Sequence, residues 1–131
     1  MLLVMERFGY PDSMLATANE LVDAQYADRP GLRPIYEAVI AAASAGGSMA
    51  VQARKTYVSL VGAKRTFARV RATTRSRVDL GLRLAKPPRG PRFLPASIHE
   101  SLTVEIRFTS VQDVDATITR LLRRAIRESE A

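Results

Sequence analysis

The sequence predicts an α+β fold: a two-layer sandwich in which an antiparallel sheet of four to five strands carries helices on one face only. Three observations predict it. Apolar residues recur every three or four positions as far as Gly46-Gly47, the rhythm of amphipathic helices. From there to Phe108 they recur every second position, the rhythm of half-buried strands. After Ser110 the helical spacing returns. Strands joined by short turns pair antiparallel. Each helix stripe needs an apolar partner, and each strand offers one apolar face.

The elements follow in order. Pro11-Asp12-Ser13 starts a helix whose apolar set is Met14, Leu15, Ala18, Leu21 and Val22, with Gln25 on the same stripe. Arg29-Pro30-Gly31 breaks it. A second helix carries Ile35, Tyr36, Val39, Ile40 and Ala43 on one side and stops at the glycine pair, which suits a C-cap. Strands are expected at 49–51, 56–61, 66–71, 77–84 and 102–108, with Gly62-Ala63-Lys64-Arg65 as a hairpin turn. Residues 86–95 hold four prolines and one glycine. Proline lacks the amide hydrogen that a central strand needs, so this is a surface loop. Ser110 is the expected N-cap of a last helix, with Asp113 in its first turn, where the helix dipole favours an anion. Val111, Val114, Ile118, Leu121, Leu122, Ala125 and Ile126 form its buried stripe.

At 131 residues, 47% hydrophobic and 25% charged, the chain suits one core. It has no cysteine, which excludes disulfides, thiolate metal sites and a cysteine nucleophile and fits a reducing compartment. The start Met1-Leu2-Leu3-Val4-Met5-Glu6-Arg7 lacks the pattern of a signal peptide. No run approaches the roughly 18 apolar residues that span a bilayer, so a cytoplasmic protein without membrane contact is expected. The net charge of +7 is unevenly placed: residues 1–45 carry −3, residues 46–92 carry +11 and residues 93–131 carry −1. Seventeen of the twenty basic residues are Arg, whose planar fork suits phosphate and carboxylate.

Alternation reads out the face opposite the apolar set. It carries Tyr57, Ser59 and Val61, then Phe67, Arg69 and Arg71, then Arg77, Asp79, Gly81 and Arg83, with Arg75 just before, and finally Thr103, Glu105 and Arg107. Arginines interleaved with aromatics on a sheet is the composition of single-stranded nucleic-acid platforms, where guanidiniums hold phosphates and rings stack on bases. The same composition also describes a solvated face with ordinary salt bridges, or a face buried against another subunit.

Other chemistry has few players. His99 is the single histidine, in Ser97-Ile98-His99-Glu100-Ser101, and neither serine sits on a nucleophile elbow. One histidine without cysteine excludes the common zinc sites, and no metal or cofactor is expected. Asp79 with Glu105-Ile106-Arg107 matches a metal-dependent nuclease core only in part, since that pattern wants a lysine in place of Arg107 and a third acid. Gly46-Gly47 closes a helix rather than opening one, so it is no phosphate loop.

The segments Arg54-Lys55-Thr56-Tyr57-Val58-Ser59-Leu60, Thr66-Phe67-Ala68, Val78-Asp79-Leu80-Gly81-Leu82-Arg83-Leu84, Thr109-Ser110-Val111, Asp113-Val114-Asp115 and Leu121-Leu122-Arg123-Arg124-Ala125 occur in that order. In this the chain resembles the bacterial domain-of-unknown-function family 5655, especially its actinobacterial members, over residues 32–128. The resemblance implies a compact α/β domain, found alone or fused to nuclease-like modules. It puts Lys55, Tyr57, Phe67, Asp79 and His99 among the residues to test and assigns a catalytic role to none. On this reading residues 1–31 are a helical extension and residues 32–131 the domain. The leading functional expectation is a non-enzymatic module binding nucleic acid or another polyanion through Arg69, Arg71, Arg75, Arg77 and Arg83, with Lys55, Tyr57, Phe67, Asp79 and His99 as further binding candidates. The alternatives are a homodimerisation or partner-protein surface on the open sheet face, an enzyme using His99 with Asp79 or Glu105, and a metal-dependent nuclease-like enzyme built on Asp79 and Glu105-Ile106-Arg107.

Overall fold

The structure, a computed structural model, describes residues 12–97 and 99–130. Helix α1 spans Asp12–Tyr26, and Pro30–Leu32 forms a single 3-10 turn that leads into α2, Arg33–Gly46. Six strands follow: β1 Ala50–Ala53, β2 Val58–Val61, β3 Thr66–Ala72, β4 Val78–Leu82, β5 Leu94–Pro95 and β6 Val104–Phe108. A 3-10 turn at Val111–Asp113 precedes α3, Ala116–Ser129. The sheet order is β1-β2-β3-β4-β6-β5, and every pair is antiparallel. The architecture is α+β, with one strand more than the sequence suggests. The addition is β5, two residues inside the proline-rich segment that pair with Val104 and Glu105 at the sheet's edge. Two residues are too short to display a period, and an edge is where proline is tolerated.

The register shows why the helices gather on one side. Val58, Val70, Leu80 and Ile106 belong to one set of facing positions, as do Leu60, Ala68, Leu82 and Val104. All of them join one core with the helix residues Val22, Ile35, Tyr36, Val39, Ile40, Ala43, Ile118, Leu122 and Ile126. Burying an aliphatic side chain of this size is worth about 1.5–3 kcal/mol. The α2 stripe is buried as its spacing predicts. Tyr26, at the end of α1, and Tyr36 of α2 pack ring to ring at 5.2 Å, and burial pushes both phenols above their ordinary range.

Two backbone irregularities depart from the sequence reading. Leu60 faces Ala68 while Val61 faces Thr66, so β3 has one residue more than β2 here, and that residue is Phe67. A bulge resets the alternation, and Phe67 is fully buried in the hydrophobic core. It offers no ring on the open face. The second irregularity separates the 3-10 turn from α3. Ser110 caps that turn rather than a long helix, in a capping box with Asp113. Val114 leaves the helical region (φ −86°, ψ 76°), and Asp115 caps α3 by accepting from the Ile118 amide at 3.2 Å. The break takes Val111 out of phase with the α3 stripe, and it is 43% exposed.

The β2–β3 turn closes on α3. A Cβ at Gly62 would lie 2.1 Å from Ser129 Oγ and 3.0 Å from its Cβ, and Ser129 is buried with its hydroxyl donating to Ile126 O at 2.6 Å. Gly62→Ala should therefore cost about 1–3 kcal/mol in urea denaturation. In a Ser129→Gly background the same change should cost distinctly less, the non-additivity expected of two residues in contact.

The capping box gives a second prediction. Asp113 Oδ2 accepts from the amides of Thr109 at 2.8 Å and Ser110 at 3.1 Å. The Thr109 amide first, then that of Ser110, holds its carboxyl below the usual range. A depressed folded value means stability that is present above the unfolded value, about 3.9, and is lost as pH falls through the folded one. Asp113→Asn should lower the melting temperature at neutral pH and flatten its decline below about pH 4.

Candidate nucleic-acid interface

The face of the sheet away from the helices holds the charged residues, because strand positions between core residues point the other way. Ser59 faces Arg69, which faces Gly81, which faces Glu105. In the next row Arg71 faces Asp79, which faces Arg107. Arg77 lies two residues before Asp79 and Arg83 two after Gly81, so both share this side. Arg75 projects from the exposed β3–β4 turn.

Both acids are buried, which alternation alone does not convey. Asp79 is 1% exposed and Glu105 2%. Asp79 Oδ2 accepts from Thr73 Oγ1 at 2.6 Å and from Arg77 Nη2 at 3.3 Å, and Arg77 Nε stands 2.9 Å from Oδ1. Thr73 in turn accepts from Arg71 Nε at 3.3 Å. Glu105 Oε1 accepts from the amide of Ser97 at 3.2 Å and its hydroxyl at 3.0 Å, while Arg107 Nε lies 3.7 Å from Oε2. The chain leaving β5 thus folds back over Glu105. Each carboxylate has a cation of its own close by, Arg77 for Asp79 and Arg107 for Glu105.

The remaining cations are less encumbered. Arg69 lays its guanidinium over Tyr57, 4.2 Å from the ring centre, a contact worth about 0.5–1 kcal/mol at an exposed site. Among the described residues Lys55, Arg69, Arg71, Arg75 and Arg83 have no carboxylate within ion-pair distance. His99 is exposed, and its Nδ1 accepts from the Ser101 amide at 3.1 Å and lies 2.7 Å from that hydroxyl. Its bonds are to its own turn rather than to Asp79 or Glu105. Among the described residues no group of three or more His, Asp or Glu could hold a metal ion, and no helix is long and apolar enough to cross a membrane.

A cleft of about 500 Å³ opens at one end of this face, between α1, the β1–β2 turn and the end of β3. Lys55, Thr56, Arg71 and Thr73 line it, opposite Gln25, Asp28 and Arg29 of the α1 end. The sequence reading placed Gln25 on an apolar stripe. In the structure its amide donates to the carbonyls of Arg54 at 2.6 Å and Tyr57 at 3.0 Å, pinning α1 to the turn that presents Lys55 and Tyr57. Only the tertiary approach of that turn makes this role visible.

The profile of the family described as Domain of unknown function (DUF5655) matches residues 22–128. The match starts within α1. No curated protein and no solved structure matches the chain.

The buried carboxylate supplies a prediction. Arg77→Ala leaves Asp79 with Thr73 as its main donor and should destabilise the fold by about 3 kcal/mol, the range for an orphaned buried charge. Asp79→Asn keeps an acceptor for Thr73 and should cost less. Urea midpoints of the two variants check the order.

Proposed function

Since the chain belongs to the DUF5655 family, which brings no activity with it, we propose a function from the open sheet face: a non-enzymatic cytoplasmic module that binds single-stranded nucleic acid or a like polyanion. One observation carries the reading. Arg69, Arg71, Arg75 and Arg83 stand on or beside one sheet face without an acidic partner among the described residues, while both acids of that face are occupied by Arg77 and Arg107. A guanidinium left unpaired beside others of its kind gains most from a ligand carrying repeated negative charge. Tyr57, half-buried beneath Arg69, supplies an aromatic ring at the margin of the face. With Phe67 in the core and the Arg69 guanidinium lying over the Tyr57 ring, base stacking contributes little and phosphate contacts carry the affinity.

Pairing of two copies through this face is the second reading. It is less well supported, because a two-fold interface would set unpaired guanidiniums against one another, and like charges across an interface cost several kcal/mol.

Fluorescence anisotropy with a single-stranded oligonucleotide tests the proposal. Affinity should fall linearly on a log–log plot against salt. Arg69→Glu and Arg83→Glu should each weaken binding across sequences and reduce the salt slope by about 1. Salt-independent binding, or none at low salt, removes the reading.

A further inference from the structure

The register sets Arg71 of β3 directly opposite Asp79 of β4 on the charged face. Side chains so placed start about 4.5–5.5 Å apart, well within reach of an ion pair, yet these two form none. Arg77 holds the carboxylate instead, with Nε 2.9 Å from Oδ1 and Nη2 donating to Oδ2 at 3.3 Å. Arg71 meets the acid only through the Thr73 hydroxyl, which donates to Asp79 Oδ2 at 2.6 Å and accepts from Arg71 Nε at 3.3 Å. The Thr73 backbone is fixed too, its amide donating to the Arg77 carbonyl at 3.1 Å, and a β-branched side chain has few rotamers to choose from. A hydroxyl that donates to a buried carboxylate is also a stronger acceptor for the next donor. No hydrogen bond or ion pair to a described residue occupies the terminal nitrogens of Arg71.

We propose that Thr73 is a positioning residue for polyanion binding: its hydroxyl, clamped by Asp79, holds the Nε edge of Arg71 and so presents the terminal nitrogens to a phosphate group. The inference rests on the polyanion reading of the sheet face and adds to it a residue that touches no ligand. A direct Arg71–Asp79 pair would commit the guanidinium fork to the acid and cancel its charge. With Arg77 neutralising Asp79 and Thr73 interposed, Arg71 is held at one nitrogen and keeps both its charge and its fork. The gain is entropic, because a long side chain must be ordered when it binds, and one already held at Nε has less freedom to lose. Arg75 is the contrast: it is exposed in the β3–β4 turn and makes no hydrogen bond or ion pair to a described residue. The two arginines, four residues apart, differ in preorganisation rather than in charge.

Two measurements on the full chain test it. The first needs no ligand: in NMR spectra of the arginine side chains, the Arg71 Nε–H should exchange with water more slowly than that of Arg75, and Thr73→Val should abolish the difference. This comparison is made on the wild type, so it decides even where Thr73→Val does not fold. The second is anisotropy with the single-stranded oligonucleotide, with melting curves to show that each variant is folded. Thr73→Val should weaken binding about three- to tenfold, as the ordering of one long side chain implies, and should keep the wild-type salt slope because no charge is removed. Thr73→Ser retains the hydroxyl and should bind as the wild type does. In an Arg71→Ala background, with its salt slope already lower by about 1, Thr73→Val should weaken binding no further, the non-additivity of residues that act through one another. Equal exchange at Arg71 and Arg75 overturns the proposal. So does wild-type affinity in Thr73→Val, weakened binding by Thr73→Ser, or an undiminished effect of Thr73→Val once Arg71 is gone. If the wild type binds no oligonucleotide, the sheet-face reading falls and this inference with it. If the wild type binds with the expected salt slope and Thr73→Val is silent, the positioning role alone is lost.

Discussion

Val58, Leu60, Val70, Leu80, Leu82 and Ile106 have no measurable exposure, and together they form the floor on which the helices rest. Because side chains alternate along a strand, filling that floor also determines what stands on the other side. A slip of one residue in β3 would bury Arg69 and Arg71 and push Val70 into solvent. The cost of burying two guanidiniums without partners makes such a slip prohibitive. The order of the charged face is therefore a consequence of the apolar one, held by the same hydrophobic free energy.

Within that charged face the two carboxylates do a different job from the cations. Asp79 and Glu105 sit low on β4 and β6, screened from water by the residues that bond to them. They hold Thr73, Arg77 and the Ser97 segment in place, and through Thr73 they reach Arg71. Their negative charge is spent inside the lattice, so the outward field of the face is set by the arginines around them. The result is a basic surface whose geometry is fixed from beneath by acids.

Much of this was legible in the sequence, and the exceptions have physical causes. The α2 stripe of Ile35, Tyr36, Val39, Ile40 and Ala43 is visible because a helix repeats its pattern over four turns and ends at a glycine pair. The shared side of Arg69, Arg71 and Arg83 follows from a period of two. Phe67 was misplaced because a bulge is a difference in count between two strands, which neither strand reveals alone. Val111 was misplaced because the break depends on the backbone of Val114, with no proline or glycine to announce it. The burial of Asp79 and Glu105 was hidden for another reason: alternation gives a side, and exposure depends on what folds over it. The cleft unites residues from three separated stretches, and the hydrogen bonds of Gln25 that shape it are tertiary throughout.

The short β5 strand bears on a different problem, that of solubility. A sheet ends wherever its outermost strand leaves unpaired amides and carbonyls, and a long flat border invites a neighbour's strand to continue the ladder. Here the β6 side is closed by only two residues, one of them Pro95, which has no amide hydrogen to offer. The prolines upstream, at 87, 88 and 91, leave no run that could template further growth. Where β5 covers Val104 and Glu105, the missing amide of Pro95 limits what a neighbouring strand could pair with, independently of charge or salt.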